Sequence, residues 1–170
     1  MTPAEAKEKA IENFKSGMNC AQAVSEVFAK EFGVDSDLIK NISLPFGAGM
    51  CRIREVCGTV SGMLFALGMY QNQNKQKTED QKAAKDNTYT KGQELINKFT
   101  ELNGSIICRE LLGLVPIGTS EAMLKQGQPT AHTPDSPISE KRTEEYYKKR
   151  PCAELCGIAA EIFQTWLNNQ

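Results

Sequence analysis

Residues 151–166 read PCAELCGIAAEIFQTW, and this stretch decides the fold class. Pro151 suits a helix start, because proline lacks the N–H that the first turn leaves unpaired. The apolar side chains after it recur at the three- and four-residue spacing of one helix face. They are Leu155, Ile158, Ala159, Ile162, Phe163 and Trp166. The stretch therefore predicts a helix that buries one side.

The same spacing recurs toward the N-terminus, between residues that begin and end helices. Thr2 and Asn19 are good N-caps, and Gly17 and Gly33 stand where each of these helices would end. Further helices are predicted at about 35–42, 55–71, 81–102, 105–112 and 139–149. Because no run of convincing length alternates with period two, we predict an all-α single domain over 1–170, a bundle of about five to seven helices.

Two stretches break the helical pattern. Residues 114–138 hold Pro116, Pro129, Pro134 and Pro137 among scattered glycine, serine and threonine. This composition predicts an irregular segment, either a lid or a long surface loop. Residues 71–85 are mostly glutamine, asparagine and lysine, and they predict a solvated loop or the exposed start of a helix.

Composition limits the classes of function. An apolar fraction of 40% and a charged fraction of 24% over 170 residues are ordinary for a globular protein. The net charge of −1 argues against nucleic-acid binding, which usually needs a basic face. Because no run of about 18 apolar residues occurs, we expect no membrane span. The first ten residues lack an apolar signal region and a twin-arginine pair, so we expect a cytoplasmic protein.

The cysteines carry the chemistry that the sequence offers. Four of them stand where a helix is predicted to begin: Cys20, Cys57, Cys108 and Cys152. A helix start presents unpaired N–H groups and the positive end of the macrodipole, which favours a thiolate over a thiol. Arg54, Arg109 and Arg150 are expected to add positive charge nearby. In a reducing cytoplasm such a set more often serves metal or redox chemistry than structural disulfides, although small buried hydrophobic thiols are the alternative for each one.

Two further cysteines have different settings. Cys51 lies on a glycine-rich loop, where Gly47 and Gly49 predict a tight turn around Ala48. Cys156 follows Cys152 by four residues, on the same helix face. That pair can bind one metal but is poorly spaced for a disulfide.

Familiar local motifs are missing from the sequence. No Cys-x-x-Cys pair occurs, so a thioredoxin motif, a zinc ribbon and a ferredoxin run are unsupported. The only histidine, His132, is predicted to be a surface residue, which makes a cysteine–histidine hydrolase improbable. Gly58 and Gly62 stand one turn apart and would let either a cofactor or a neighbouring helix backbone approach closely.

Several stretches together carry a resemblance to a known family. They read GMNCAQA at 17–23, EVCGTVSG at 55–62 and GSIICRELLG at 104–113, and the Cys152 region completes them. The chain resembles the C_GCAxxG_C_C family, and the resemblance implies a redox-active protein in which a prosthetic group such as an iron–sulfur cluster is suspected. The family's four cysteines match Cys20, Cys57, Cys108 and Cys152. Thr59 departs from the family's alanine, and Cys51 and Cys156 look like additions.

Three functions follow as hypotheses. The leading one is a site in which Cys20, Cys57, Cys108 and Cys152, beside Gly58 and Gly62, hold an iron–sulfur cluster or another soft metal for electron transfer or sensing. The first alternative is a metal-free thiol–disulfide protein, with any of the six cysteines as a redox candidate. The second is a non-catalytic helical module that binds a partner. Under the leading hypothesis we expect a redox partner protein. Whether the protein is an oxidoreductase component stays open. The sequence favours no oligomeric state.

Overall fold

The computed structural model describes residues 1–73, 80–127 and 136–170, and within them the chain is helical. Nine α-helices and a 3₁₀ turn at Leu44–Phe46 occur there, with no β-strand. The all-α prediction is confirmed. The longer helices are α1 (Pro3–Lys15), α2 (Cys20–Ala29), α4 (Gly58–Gln73), α5 (Gln81–Asn103) and α9 (Cys152–Leu167). The shorter ones are α3 (Ser36–Ser43), α6 (Cys108–Leu111), α7 (Thr119–Lys125) and α8 (Glu144–Lys149).

The first two helices begin where the capping residues predict. The Thr2 hydroxyl accepts a hydrogen bond from the Glu5 N–H, and the Glu5 carboxylate accepts one from the Thr2 N–H. Asn19 and Gln22 make the same reciprocal arrangement at the start of α2. Because these bonds satisfy N–H groups that a helix start leaves unpaired, they fix the first residue of each helix. For α2 that residue is Cys20.

The core lies where α1, α2, α4 and α9 meet. Phe14, Phe28 and Phe163 are buried there, and the rings of Phe28 and Phe163 meet edge to face at 4.6 Å between centroids. The fully buried Ala6 and Ala10 are the small residues that α1 contributes to this core. The core therefore fixes α2 and α9, whose first residues are both cysteines, relative to each other.

Gly58 and Gly62 pack α4 tightly against α2. A Cβ atom on Gly62 would lie 2.7 Å from the Ala21 carbonyl oxygen, and one on Gly58 would lie 3.0 Å from the Cys20 Cβ. Only glycine lets the two helices approach so closely. This geometry is the helix-packing alternative of the sequence analysis, and a direct contact between these glycines and a cofactor stays a prediction.

The structure corrects three predicted helix boundaries. Helix α6 begins at Cys108 rather than Ser105, whose hydroxyl accepts a hydrogen bond from the Ile107 N–H at 3.0 Å. The charged helix expected over 139–149 begins only at Glu144, and the extended residues before it let the Arg142 guanidinium lie over the Phe14 ring at 4.3 Å. Helix α4 begins at Gly58 rather than Glu55, because residues 54–57 pair with 106–109 through backbone hydrogen bonds.

The irregular segment predicted at 114–138 is described only in part. Residues 114–127 include α7, and Pro137 lies in a non-helical stretch. Pro129, Pro134 and His132 lie outside the described residues, as do residues 74–79 of the polar stretch predicted at 71–85. Among the helices that the structure describes, none combines the length and apolar character needed to cross a membrane.

Candidate cysteine site

The four cysteines predicted at helix starts do lie at helix starts. Cys20, Cys108 and Cys152 are the first residues of α2, α6 and α9, and Cys57 immediately precedes α4. All four side chains are buried, with at most 9% of the surface of any one exposed. Four separate chain segments thus each place one sulfur in the interior.

These sulfurs share one cavity of about 390 Å³, which Cys51 also lines. Cys51 is exposed, and its thiol donates a hydrogen bond to the Pro45 carbonyl oxygen at 3.3 Å. Cys156 is fully buried behind the cavity, with its Sγ 3.8 Å from the Cys20 carbonyl oxygen. The two cysteines outside the set of four therefore occupy opposite environments, one solvent-exposed and one in the core.

Backbone pairing joins the segments that carry Cys57 and Cys108. The Cys57 N–H donates to the Ile106 carbonyl at 2.8 Å, and the Cys108 N–H donates to the Glu55 carbonyl at 2.7 Å. Each cysteine is therefore tied to the chain segment that carries the other, so their backbones cannot move apart without breaking a hydrogen bond.

A turn of unusual backbone conformation forms one wall of the cavity. Every residue from Ala48 to Arg52 has positive φ, between 48° and 73°, and so does Arg54. The left-handed conformation costs a non-glycine residue about 1–2 kcal/mol. Gly49 is required within it, because a Cβ there would lie 2.7 Å from the Cys108 Cβ. The tight turn predicted around Ala48 is confirmed, and it presses against a cysteine of the site.

Arginines give the cavity a positive surplus. Four of them line it, and among the described lining residues Glu140 is the sole carboxylate. The Arg150 guanidinium contacts Glu140 at 2.6 Å. Arg54 is 4% exposed, and its positive charge lowers the pKa of Cys108. The four arginines are Arg52, Arg54, Arg142 and Arg150.

The pKa values of the buried thiols lie above the usual range. Burial raises the pKa of Cys57 to about 12, and the neighbouring Cys108 acts in the same direction. Burial also raises the pKa of Cys108 and of Cys156, despite the opposing charge of Arg54 at Cys108. The prediction that helix dipoles favour thiolates here is wrong for the protein without a bound group. Desolvation of the buried sulfurs raises the thiol pKa by more than the helix dipole lowers it.

Cys20 and Cys152 titrate as a pair. The interaction between their thiols favours the thiolate on Cys20 and disfavours it on Cys152. The contact with Cys156 and burial nevertheless raise the pKa of Cys20, and burial adds to the increase for Cys152. Near neutral pH the pair is therefore protonated unless a bound cation replaces the protons.

The comparisons with known proteins identify the family. The family model described as "Putative redox-active protein (C_GCAxxG_C_C)" matches residues 18–166. This chain belongs to that family. An uncharacterized protein of Archaeoglobus fulgidus is 26% identical over 111 residues, which cover 63% of this chain and 74% of the relative. No solved structure matches the chain.

Thr59 contacts one cysteine of the site. Thr59 is fully buried, and its Oγ1 lies 3.1 Å from the Cys57 Sγ in a hydrogen bond. This bond lowers the pKa of Cys57 against the larger effect of burial. Thr59 therefore adds a polar contact to Cys57, one of the four cysteines at helix starts.

Sequence reasoning placed Arg54 and Arg150 near the thiols but missed two other cavity arginines, Arg52 and Arg142. It expected Arg109 to add positive charge near the thiols, but the Arg109 guanidinium contacts the Glu55 carboxylate at 2.6 Å instead. Arg142, which does line the cavity, was placed inside a helix and left without a role. No local pattern could have found Arg142, because its position depends on the contact with Phe14, far away in sequence.

Proposed function

We propose that the cysteine-lined cavity binds a thiolate-ligated redox group, with an iron–sulfur cluster as the candidate, for electron transfer or redox sensing. The observation that carries the proposal is the convergence of Cys20, Cys57, Cys108 and Cys152 on one cavity from four separate helix starts. Packing alone gives no reason to place four thiols in this way. Four cysteines are the usual ligand set for such clusters.

The charges of the site suit a group of this kind. A cluster bound by four thiolates is anionic overall, and an anionic group is stabilised by buried positive charge. Arg54 supplies that charge from the cavity wall, and Arg150 acts on Cys108 and Cys152 in the same direction. Helices α2 and α9, both of ten residues or more, add the positive ends of their dipoles at Cys20 and Cys152.

We favour a group of several atoms over a single ion for this set of four cysteines. Within the described parts of the chain, no three histidine, cysteine, aspartate or glutamate side chains are arranged to hold one metal ion. Sulfurs on a single zinc ion lie within about 4.6 Å of each other, since each bond is about 2.3 Å long. A cluster distributes its cysteines over different irons and accepts wider spacing.

The chain's own residues would bind such a group, balance its negative charge and shield it from water. The group, when bound, would supply one-electron transfer. Cys20, Cys57, Cys108 and Cys152 are the ligands in this proposal, and Arg54 is the buried counter-charge. The apolar side chains of Phe14 and Leu155 line the cavity and limit the access of water. A redox partner protein and a cytoplasmic location remain part of the proposal.

The contact between Cys20 and Cys152 supports a second candidate, a metal-free thiol–disulfide protein. Oxidation of two adjacent thiols removes two protons and two electrons and forms one disulfide bond. The raised pKa values oppose fast exchange, because the thiolate is the attacking species. We therefore rank this candidate second.

Anaerobic reconstitution tests the proposal. The protein is purified without oxygen, incubated with iron and sulfide, and analysed for both elements and for sulfur-to-iron charge-transfer absorption. We expect stoichiometric uptake in the native protein and in Cys51→Ser, whose thiol is exposed, and loss of uptake in Cys57→Ser and Cys108→Ser. Absence of uptake in the native protein would reject the cluster. A Cys20–Cys152 disulfide found by peptide mapping would then favour the second candidate.

A further inference from the structure

A buried polar network lies beside the cavity without lining it. It consists of Glu55, Ser105, Arg109, Glu110 and Ser120, which we call the Arg109 network. All members except Glu55 are at most 6% exposed, and the Glu55 side chain is 24% exposed. The network spans three segments: the residues before α4, helix α6 with the residues before it, and the start of α7.

Arg109 connects all three segments. Its Nη1 donates to the Glu55 carboxylate at 2.6 Å, and its Nη2 donates to the Ser120 hydroxyl at 2.9 Å. Its backbone N–H donates to the Arg54 carbonyl at 3.1 Å. The planar fork of the guanidinium suits this double contact, which a lysine could make on one side only.

Glu110 closes the network. Its carboxylate accepts hydrogen bonds from the Ser105 hydroxyl at 2.5 Å and the Ser120 N–H at 2.9 Å. Burial acts to raise the pKa of Glu110, but the hydrogen bonds from Ser105 and Ser120 outweigh it and lower the pKa. The group is therefore a buried carboxylate held in place by two short contacts.

The Arg109 network connects the two segments that carry Cys57 and Cys108. Cys57 follows Glu55 by two residues, and Cys108 immediately precedes Arg109. We propose that Arg109 and Glu110 are positioning residues that set the separation and orientation of the Cys57 and Cys108 thiols. This inference deepens the proposed function and rests on it, because it concerns two of the same four ligands. A buried ion pair adds little net stability, so fixed geometry is the better account of its presence.

Site-resolved alkylation tests the positioning role without any bound group. Reduced full-length protein is treated with iodoacetamide under native conditions, and mass spectrometry gives a rate for each cysteine. In Arg109→Gln we expect about tenfold faster labelling of Cys57 and Cys108, because loss of a charged hydrogen bond makes local opening easier, and an unchanged rate at Cys156. Arg109→Lys keeps the charge and one contact, and it should give an intermediate result.

A matched control separates positioning from a general loss of charge. Lys98→Gln removes one partner of the exposed pair between Lys98 and Glu101, 3.0 Å apart, and should leave every rate unchanged. Unchanged rates at Cys57 and Cys108 in Arg109→Gln would overturn the inference. An equal rise at Cys156 would also overturn it, because that result means a merely structural role.

Reconstitution supplies the second measurement. If the native protein binds iron and sulfide, Arg109→Gln and Glu110→Gln should bind them about 10–100-fold more weakly, the usual effect of removing a residue that orients a ligand. Their charge-transfer bands should also shift, whereas Lys98→Gln should match the native protein. Native affinity and spectrum in both variants would overturn the inference. If the native protein binds nothing, the proposed function fails, while the alkylation result still decides the positioning role.

Discussion

The raised pKa of Cys57 makes the stability of the reduced, metal-free protein depend on pH. The folded-state pKa is about 12, against an ordinary value of 9.0. Because it is raised, the contribution of this thiol to stability is fully present below about pH 9 and is lost as the pH rises toward about 12. A pH of about 10.5 lies about 1.5 units above the ordinary pKa. At about 1.36 kcal/mol per unit, the loss of unfolding free energy there is about 2 kcal/mol.

Urea denaturation at about pH 8 and about pH 10.5 measures this loss, with a reductant and a chelator present. Other groups titrate over the same range, so the comparison is with Cys57→Ala at both pH values. We expect the free energy of unfolding of the native protein, relative to that of the variant, to fall by about 2 kcal/mol between them. The exposed Cys51→Ala serves as control and should keep a constant difference from the native protein. A constant difference for Cys57→Ala as well would refute the argument from burial.

Three further predictions concern residues around the site. Gly62→Ala should destabilise the protein by about 1–3 kcal/mol in urea denaturation, because its Cβ would meet the α2 backbone at 2.7 Å. Gly68→Ala, on the same helix with nothing within 4 Å of its Cβ, should instead stabilise it by about 0.5–1 kcal/mol, and equal effects of the two would contradict the packing argument. Thr59→Ala should slow alkylation of Cys57 at alkaline pH, because losing the 3.1 Å hydrogen bond raises the pKa of Cys57 further. Faster alkylation would show that the Thr59 hydroxyl merely blocks access to the thiol. Asn19→Ala should cost about 0.5–2 kcal/mol of unfolding free energy, and no loss would mean that this cap is dispensable.

Much of the fold could be predicted because its signals are local. Thr2 and Asn19 each have a capping partner three residues later, so four consecutive residues are enough to predict where α1 and α2 begin. The positions of the four cysteines at helix starts could be predicted for the same reason, because each lies at or next to the first residue of a helix. The extended stretch before α8 could not be predicted in this way, because it depends on Arg142 reaching Phe14 across the fold.

The candidate site was harder to predict, for a related physical reason. The helix dipole is a property of one helix and can be inferred from a few residues, whereas the pKa of a thiol depends on everything packed around it. Cys57 shows the difference, because desolvation raises its pKa although it stands at a helix start. The left-handed conformation of Met50 and Arg52 likewise runs against the preferences of those residues, and it occurs in a turn whose Gly49 packs against Cys108.

The protonated state of the free site also bears on which groups it can bind. Ionising a thiol with a pKa of about 12 at pH 7 costs about 7 kcal/mol, and the bond to the bound group must offset that cost. Hard cations such as calcium prefer oxygen ligands and gain little from sulfur, so they cannot offset it. Soft metals and iron–sulfur clusters form strong bonds to thiolate, and their binding releases the protons. Under the proposed function, the burial that makes these thiols poor nucleophiles would also favour soft, thiolate-binding groups over hard cations, and uptake of such a group should become tighter as the pH rises.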